Sequence, residues 1–191
     1  MKILIATPAY GDVVFNGFTE SVANLVLAFA RAFPDIVFEH RLIDVPVLAT
    51  ARNILASLVL NDESYSHLLF IDADMAFSPM LIARMLASRR PFVGSIYPVK
   101  HYCWDELAEL AHSDLTTIQT RMIAADYICE DDVVVTPRGA GRKTLEVVDG
   151  FVQVRASGTG VMLLERGVLT RMREALPELW LEEPGAQVRA W

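Results

Sequence analysis

Over the first 100 residues, apolar runs of strand length alternate with stretches of helical periodicity, and this alternation constrains the fold more than any other feature of the chain. Residues 2 to 7 form a continuous apolar run ended by Thr7-Pro8, the pattern of a buried strand entering a turn. Beyond the loop Ala9 to Phe15, Asn16 is placed to cap a helix through about Ala32, with Val22, Leu25, Val26, Phe29 and Phe33 as its apolar stripe. Ile36 to Leu42 reads as a second strand. A second helix is predicted from Val47-Leu48 to Leu60, burying Leu48, Ile54, Leu55, Leu58 and Val59. Ser66 to Ile71 is a third strand, Ser78-Pro79 opens a third helix with Pro at its first position, and Phe92 to Ile96 is a fourth strand. The fold class is therefore α/β: a single-domain, mostly parallel, Rossmann-like sheet flanked by helices, with right-handed crossovers placing the strand-end loops on one rim.

The second half changes character. Trp104 to Ile128 is largely helical by periodicity, with Ser113-Asp114 as a break and a new cap. Val133 to Val135, Thr144 to Val148 and Phe151 to Val154 are short β-rich pieces, so a smaller antiparallel section is expected here, with Asp149-Gly150 as a tight hairpin turn. Gly158-Thr159-Gly160 opens a further strand, Val161 to Leu164, before a helix around Val168 to Ala175.

A length of 191 residues suits one domain, and a 53% hydrophobic content indicates a folded chain. The net charge of -7 argues against a nucleic-acid backbone as partner. Cys103 and Cys129 have no zinc-ligand spacing and form no disulfide framework, which points to a reduced, cytoplasmic setting. The run before Pro8 is too short for a signal peptide, and no segment approaches 18 consecutive apolar residues, so no transmembrane segment is expected. Peripheral contact with a membrane and the oligomeric state are left open.

Several nucleotide and nucleophile motifs fail at their defining positions: there is no G-x-G-x-x-G after the first strand, no P-loop and no G-x-S-x-G elbow. What stands out instead is Asp72-Ala73-Asp74, directly after the third strand, where open α/β sheets bind ligands. Two carboxylates there repel each other unless one pKa rises or a cation holds both ionised. A divalent ion would do so and clamp a phosphate. A strand-end turn with solvated side chains, Asp74 capping the next helix, accounts equally for this tripeptide. His67, inside the strand, reads as a packed, hydrogen-bonded histidine.

Four stretches, Ile5 to Gly11, Ala51-Arg52-Asn53, Leu69 to Met75 with Phe77 and Pro79, and Val93 to Lys100, are joined by a fifth, Gly158 to Leu164 followed by Arg166. In this order, over most of the chain, they resemble a nucleotide-sugar-dependent glycosyltransferase with the A-type fold, family 2-like. The resemblance implies residues 1–100 as the nucleotide-sugar-binding half and 101–191 as the acceptor-side half. Thr7, Pro8 and Tyr10 match the loop receiving base and ribose. Arg52 matches the basic residue near the diphosphate, a surface ion pair being its alternative. Asp72 matches the carboxylate that meets ribose or the metal's water shell, and Asp74 the direct ligand of Mn2+ or Mg2+. Tyr97 would pack beneath the sugar. Lys100 would face the leaving diphosphate or an anionic acceptor, with a solvated lysine as its alternative. The implied reaction moves a hexose from a nucleoside-diphosphate sugar donor to a hydroxyl of a carbohydrate, lipid or protein acceptor.

The resemblance also breaks down. Family members usually continue past the position of Trp191 with an acidic segment and a metal-binding histidine, whereas the last histidine here is His112. Glu182 and Glu183 are late and acidic candidates for the base, in a setting that does not reproduce the family pattern. The chain then reads as truncated, or as a degenerate protein that binds a nucleotide sugar without turning it over. A nucleotidyltransferase also places paired carboxylates on a sheet rim, but Pro8-Ala9-Tyr10-Gly11-Asp12 lacks the glycine-rich, basic loop expected there.

Overall fold

Strands and helices alternate as the apolar pattern requires. A computed structural model describes residues 1–102, 104–110, 114–123, 125–127 and 147–179. The order begins β1 (Lys2–Pro8), α1 (Asn16–Ala32), β2 (Val37–Ile43), α2 (Leu48–Asn61), β3 (Tyr65–Ile71), α3 (Pro79–Ala87) and β4 (Phe92–Gly94). It continues with β5 (Pro98–Tyr102), α4 (Trp104–Leu110), α5 (Thr117–Ile123), β6 (Ala125–Tyr127), β7 (Val147–Val148), β8 (Phe151–Val152), β9 (Val161–Glu165) and α6 (Arg166–Ala175). Two compact units result: one from residues 1–94 and from Thr159 onward, the other from Ser95–Gly158.

In the first unit, a five-stranded sheet runs in the order β2-β1-β3-β9-β4. β1 pairs parallel with β2 and β3, whereas β9 is antiparallel to both β3 and β4. The sheet is mostly parallel, as expected, and β9 runs opposite to its neighbours, bringing its amino end to the rim where β1, β2, β3 and β4 place their carboxyl ends. Ile3, Leu4, Ile5, Leu68, Leu69 and Ile71 are fully buried, because helices cover both faces and leave these strands no polar side. On one face Leu4, Ala6, Leu68 and Phe70 pack with Leu55, Val59 and Leu60 of α2 and Leu169 of α6. On the other, Ile3 and Ile5 are in register with Phe38 and His40, whose rings meet Phe29 and Phe18 of α1 at centroid distances of 5.1 and 5.7 Å.

The helices of the first unit keep the predicted spans, but the structure turns some of them differently; in the second unit Ala125–Tyr127 is strand β6, in a stretch the periodicity marks as helical. α1 buries Phe18, Ser21, Leu25 and Phe29, while Val26 and Phe33 stay exposed. Its apolar stripe is wider than the surface available to cover it, and the sheet selects one half. Asn16 is the first helical residue and not the cap; Phe15 takes the cap position without a side-chain bond. α2 buries Ala51, Ala56 and Ser57 beside Leu55, Val59 and Leu60, and leaves Leu48 exposed. In α3, Ser78 caps by accepting the Met80 N–H and Pro79 occupies the first turn, as predicted.

The second unit holds the antiparallel pairs β5–β6 and β7–β8, with α4 and α5 lying in sequence between β5 and β6. Asp149 and Gly150 both take positive φ, 54° and 77°, the geometry a two-residue hairpin turn demands and the reason glycine suits its second position. The Val133 to Val135 piece lies outside the described residues.

Arg166 ties α6 to α2. Its Nε and Nη2 donate to the carbonyls of Val59 and Leu60 at 3.2 and 3.1 Å, satisfying acceptors at the negative end of α2. Replacing Arg166 by Ala should therefore cost about 1–2 kcal/mol. Thermal unfolding followed by circular dichroism should show Tm lowered by roughly 2–8 °C. Arg166→Lys should recover only part of the loss, because one ammonium cannot reproduce the planar fork.

Candidate functional site

β1 and β3 end side by side. Ala6 is in register with Phe70, so Pro8 and Asp72 stand at equivalent positions two residues on. Past β1, the chain makes a short 3-10 helix, Tyr10–Asp12, which leaves Tyr10 71% exposed. The Ala9 N–H donates to the Ile43 carbonyl at 3.0 Å, and the Gly11 N–H to Asp44 Oδ1 at 2.8 Å, so the end of β2 holds this loop. Past β3, Asp72 begins a tight turn closed by the Met75 N–H on the Asp72 carbonyl at 3.0 Å. The Asp72 N–H itself donates to the Gly160 carbonyl at 2.9 Å, which places the start of β9 at the same rim.

The two rim loops are sewn together. Phe15 N–H donates to the Ala73 carbonyl at 3.0 Å, and Phe77 N–H to Ser21 Oγ at 2.9 Å. Gly17 permits the approach between these bonds: a Cβ there would stand 3.1 Å from that of Ala76. Phe15, Gly17 and Ser21 were not among the residues the sequence singled out. Their role depends on tertiary hydrogen bonds, and no local pattern signals those.

Arg52, on the first turns of α2, reaches across to Asp72. Its Nη2 donates to Oδ1 at 2.8 Å and to Oδ2 at 3.1 Å, with the two side chains 19% and 29% exposed. Arg52 Nε is buried and has no hydrogen-bond partner among the described residues. This pair corrects the metal assignment. The expected Mn2+ or Mg2+ site at Asp72 and Asp74 is not formed: both carboxylate oxygens of Asp72 are taken by a guanidinium. Among the described residues no group of three or more His, Cys, Asp and Glu side chains could hold a metal ion. The cation that a carboxylate at a strand end requires is Arg52, supplied by the chain itself, and the D-x-D tripeptide is not a metal-binding motif here. Asp74 is exposed in the turn, and the cap of the following helix is Ser78.

The remaining candidates fall in both units. Thr7 is fully buried and its hydroxyl bonds His40 Nε2 at 3.2 Å; Pro8 is half-buried. Tyr97 is half-buried and belongs to the second unit, as does Lys100, whose backbone lies in β5. The side chain of Lys100 and the whole of Glu182 and Glu183 lie outside the described residues. His67 packs as expected, its Nδ1 3.0 Å from Ser66 Oγ. A cavity of about 290 Å³ opens at the opposite end of the sheet, beside Lys2 and Tyr65, the first residues of β1 and β3. There Lys2 already pairs with Glu39 at 3.1 Å and Asp62 at 3.5 Å and sits over the Tyr65 ring, so its charges are spent internally.

No family model matches this chain, and no curated protein matches it. A solved structure described as "Crystal Structure of A197 from STIV" is similar to it at 17% identity, over 90% of this chain and 68% of that chain, with a TM-score of 0.44. Similarity at that level carries no argument about family or activity.

Two outcomes follow from this geometry. Asp72→Ala strands a mostly buried guanidinium, and chemical denaturation should show a loss of about 1–3 kcal/mol. Burial pushes the pKa values of His40 and His67 below their ordinary 6.5. The unfolded chain therefore binds more protons once pH falls below that value, and stability present above it is lost as pH descends toward the folded-state values. Each histidine bounds the slope at about 1.4 kcal/mol per pH unit. Urea midpoints between neutral and mildly acidic pH should fall accordingly, and less steeply in His40→Gln.

Proposed function

We propose that this chain is a nucleotide-sugar-dependent glycosyltransferase of the A-type fold, binding its donor at the rim formed by Pro8, Tyr10, Arg52 and Asp72. The single observation that supports this reading is the Arg52–Asp72 pair at the carboxyl ends of β1 and β3, with the Thr159-Gly160 segment bonded to the same strand end. Stretches distant in sequence that carry the resemblance thus meet at one sheet edge, where α/β folds take ligands. Exposed Tyr10 offers a ring for the base. In this reading Asp72, oriented by Arg52, accepts from ribose hydroxyls, and the guanidinium faces the diphosphate, so charge is balanced without a divalent ion.

In the transfer itself, the acceptor oxygen bonds to the anomeric carbon as the bond from that carbon to the diphosphate breaks. The electron pair leaves with the nucleoside diphosphate. Asp74, exposed at the corner of the turn, is the carboxylate assigned to the acceptor's proton.

Calorimetric titration of the full chain with uridine and guanosine diphosphate sugars, in the presence of a chelator, tests this. Binding is expected to survive chelation and to weaken roughly 10-fold to 100-fold in Arg52→Ala, as the loss of a charge-assisted hydrogen bond predicts. Absence of heat with every donor, from a protein whose circular dichroism is intact, overturns the proposal. Binding with no release of nucleoside diphosphate, over a panel of sugar, lipid and peptide acceptors, assigns instead a nucleotide-sugar-binding protein.

A further inference from the structure

At one edge of the sheet, β2 is paired with β1 on one side only, and among the described residues nothing pairs with the other. Edges of this kind are normally blunted by shortness, proline, a bulge or charged side chains, lysine above all. β2 has no proline, bulge or lysine, and its two charges, Glu39 and Arg41, are of opposite sign: Val37–Ile43 is seven residues in unbroken register with β1, and Val37, Arg41 and Leu42 are exposed.

The hydrogen bonds at its two ends fix which groups face outward. Val37 N–H donates to the Met1 carbonyl at 2.8 Å, and the Ile43 carbonyl accepts from Ala9 N–H at 3.0 Å. Odd-numbered residues of β2 thus turn their backbone groups toward β1, and alternation leaves Phe38, His40 and Leu42 with N–H and C=O directed away from the sheet. A strand added antiparallel must align outward-facing residues with outward-facing residues.

We propose that β2 is a self-association edge at which a second copy of this chain pairs antiparallel about a twofold axis through His40. In that register Phe38 lies opposite the partner's Leu42, and His40 opposite the partner's His40. About six main-chain hydrogen bonds form, two for each facing pair. Between these, Glu39 falls opposite the partner's Arg41 and Arg41 opposite the partner's Glu39, on one face of the sheet, while Val37 meets the partner's Ile43. Charge selects this register over its neighbours. Shifting it by one allowed step either way centres the axis on Glu39 or on Arg41, and sets like charges directly opposite, which is destabilising. The two five-stranded sheets would then join into one. Nothing in this inference rests on the nucleotide-sugar reading.

Sedimentation velocity of the full chain over a wide concentration range should show a dimer. Arg41→Glu and Glu39→Arg, each placing like charges opposite on both sides of the axis, should weaken dimerisation roughly tenfold or more. Mixing these two variants should restore a dimer, now of one copy of each, because every facing pair becomes opposite in sign. Leu42→Pro removes an outward N–H without touching the bonds to β1 and should abolish the dimer while far-UV circular dichroism stays unchanged. Should Glu39→Arg fail to fold through loss of its bond to Lys2, Arg41→Glu and Leu42→Pro still decide the matter. A wild-type chain that remains monomeric overturns the proposal. So does a dimer that both of these variants leave intact, which would lie elsewhere on the surface.

Discussion

β3 is paired along both edges, parallel to β1 and antiparallel to β9, and its last hydrogen bond joins Asp72 N–H to the Gly160 carbonyl. A strand held on both sides and covered on both faces has no freedom at its end, so the turn that follows leaves the sheet in a fixed direction. The candidate site depends on that constraint. Asp72 meets Arg52 because β3 ends there, Ala73 receives Phe15 because the turn is closed, and the start of β9 arrives because it runs opposite to its neighbours.

Electrostatics at this rim follow from the same placement. A carboxylate at the carboxyl end of a buried strand is poorly solvated and calls for positive charge. Either an ion or an arginine satisfies that demand, and the two have different chemical consequences. Here a single Nη2 contacts both oxygens of Asp72. The guanidinium is thereby held in place on the ligand edge of the sheet, with a fixed orientation that a hydrated lysine would not keep.

At the opposite rim, charge has another use. Lys2, Glu39, Asp62 and Tyr65 form a cluster in which Glu39 is held below the ordinary carboxylate range, chiefly by its hydrogen bond to Tyr65 and then by Lys2. Arg41 contacts the same Glu39 from the next position on that face of β2. The edge strand, Val-Phe-Glu-His-Arg-Leu-Ile, is palindrome-like: two apolar residues at each end and one charge on either side of the central His40.

By itself the sequence determined the elements of the first unit, but not β5 or β6 of the second, which pair with each other across the intervening helices. Periodicity marked the buried strands and the helix spans, Ser78-Pro79 marked a helix start, and Asp149-Gly150 marked a hairpin, because each is a local preference of a few adjacent residues. It also brought Arg52 and Asp72 forward as residues of interest. Which half of α1 would be buried, that Ala51, Ala56 and Ser57 would be buried in α2, and that β9 would enter antiparallel were decided by tertiary packing. So was the partner of Asp72, which had been assigned to a metal. Spacing shows that a carboxylate sits at a strand end; only the fold, bringing α2 alongside β3, decides which cation reaches it.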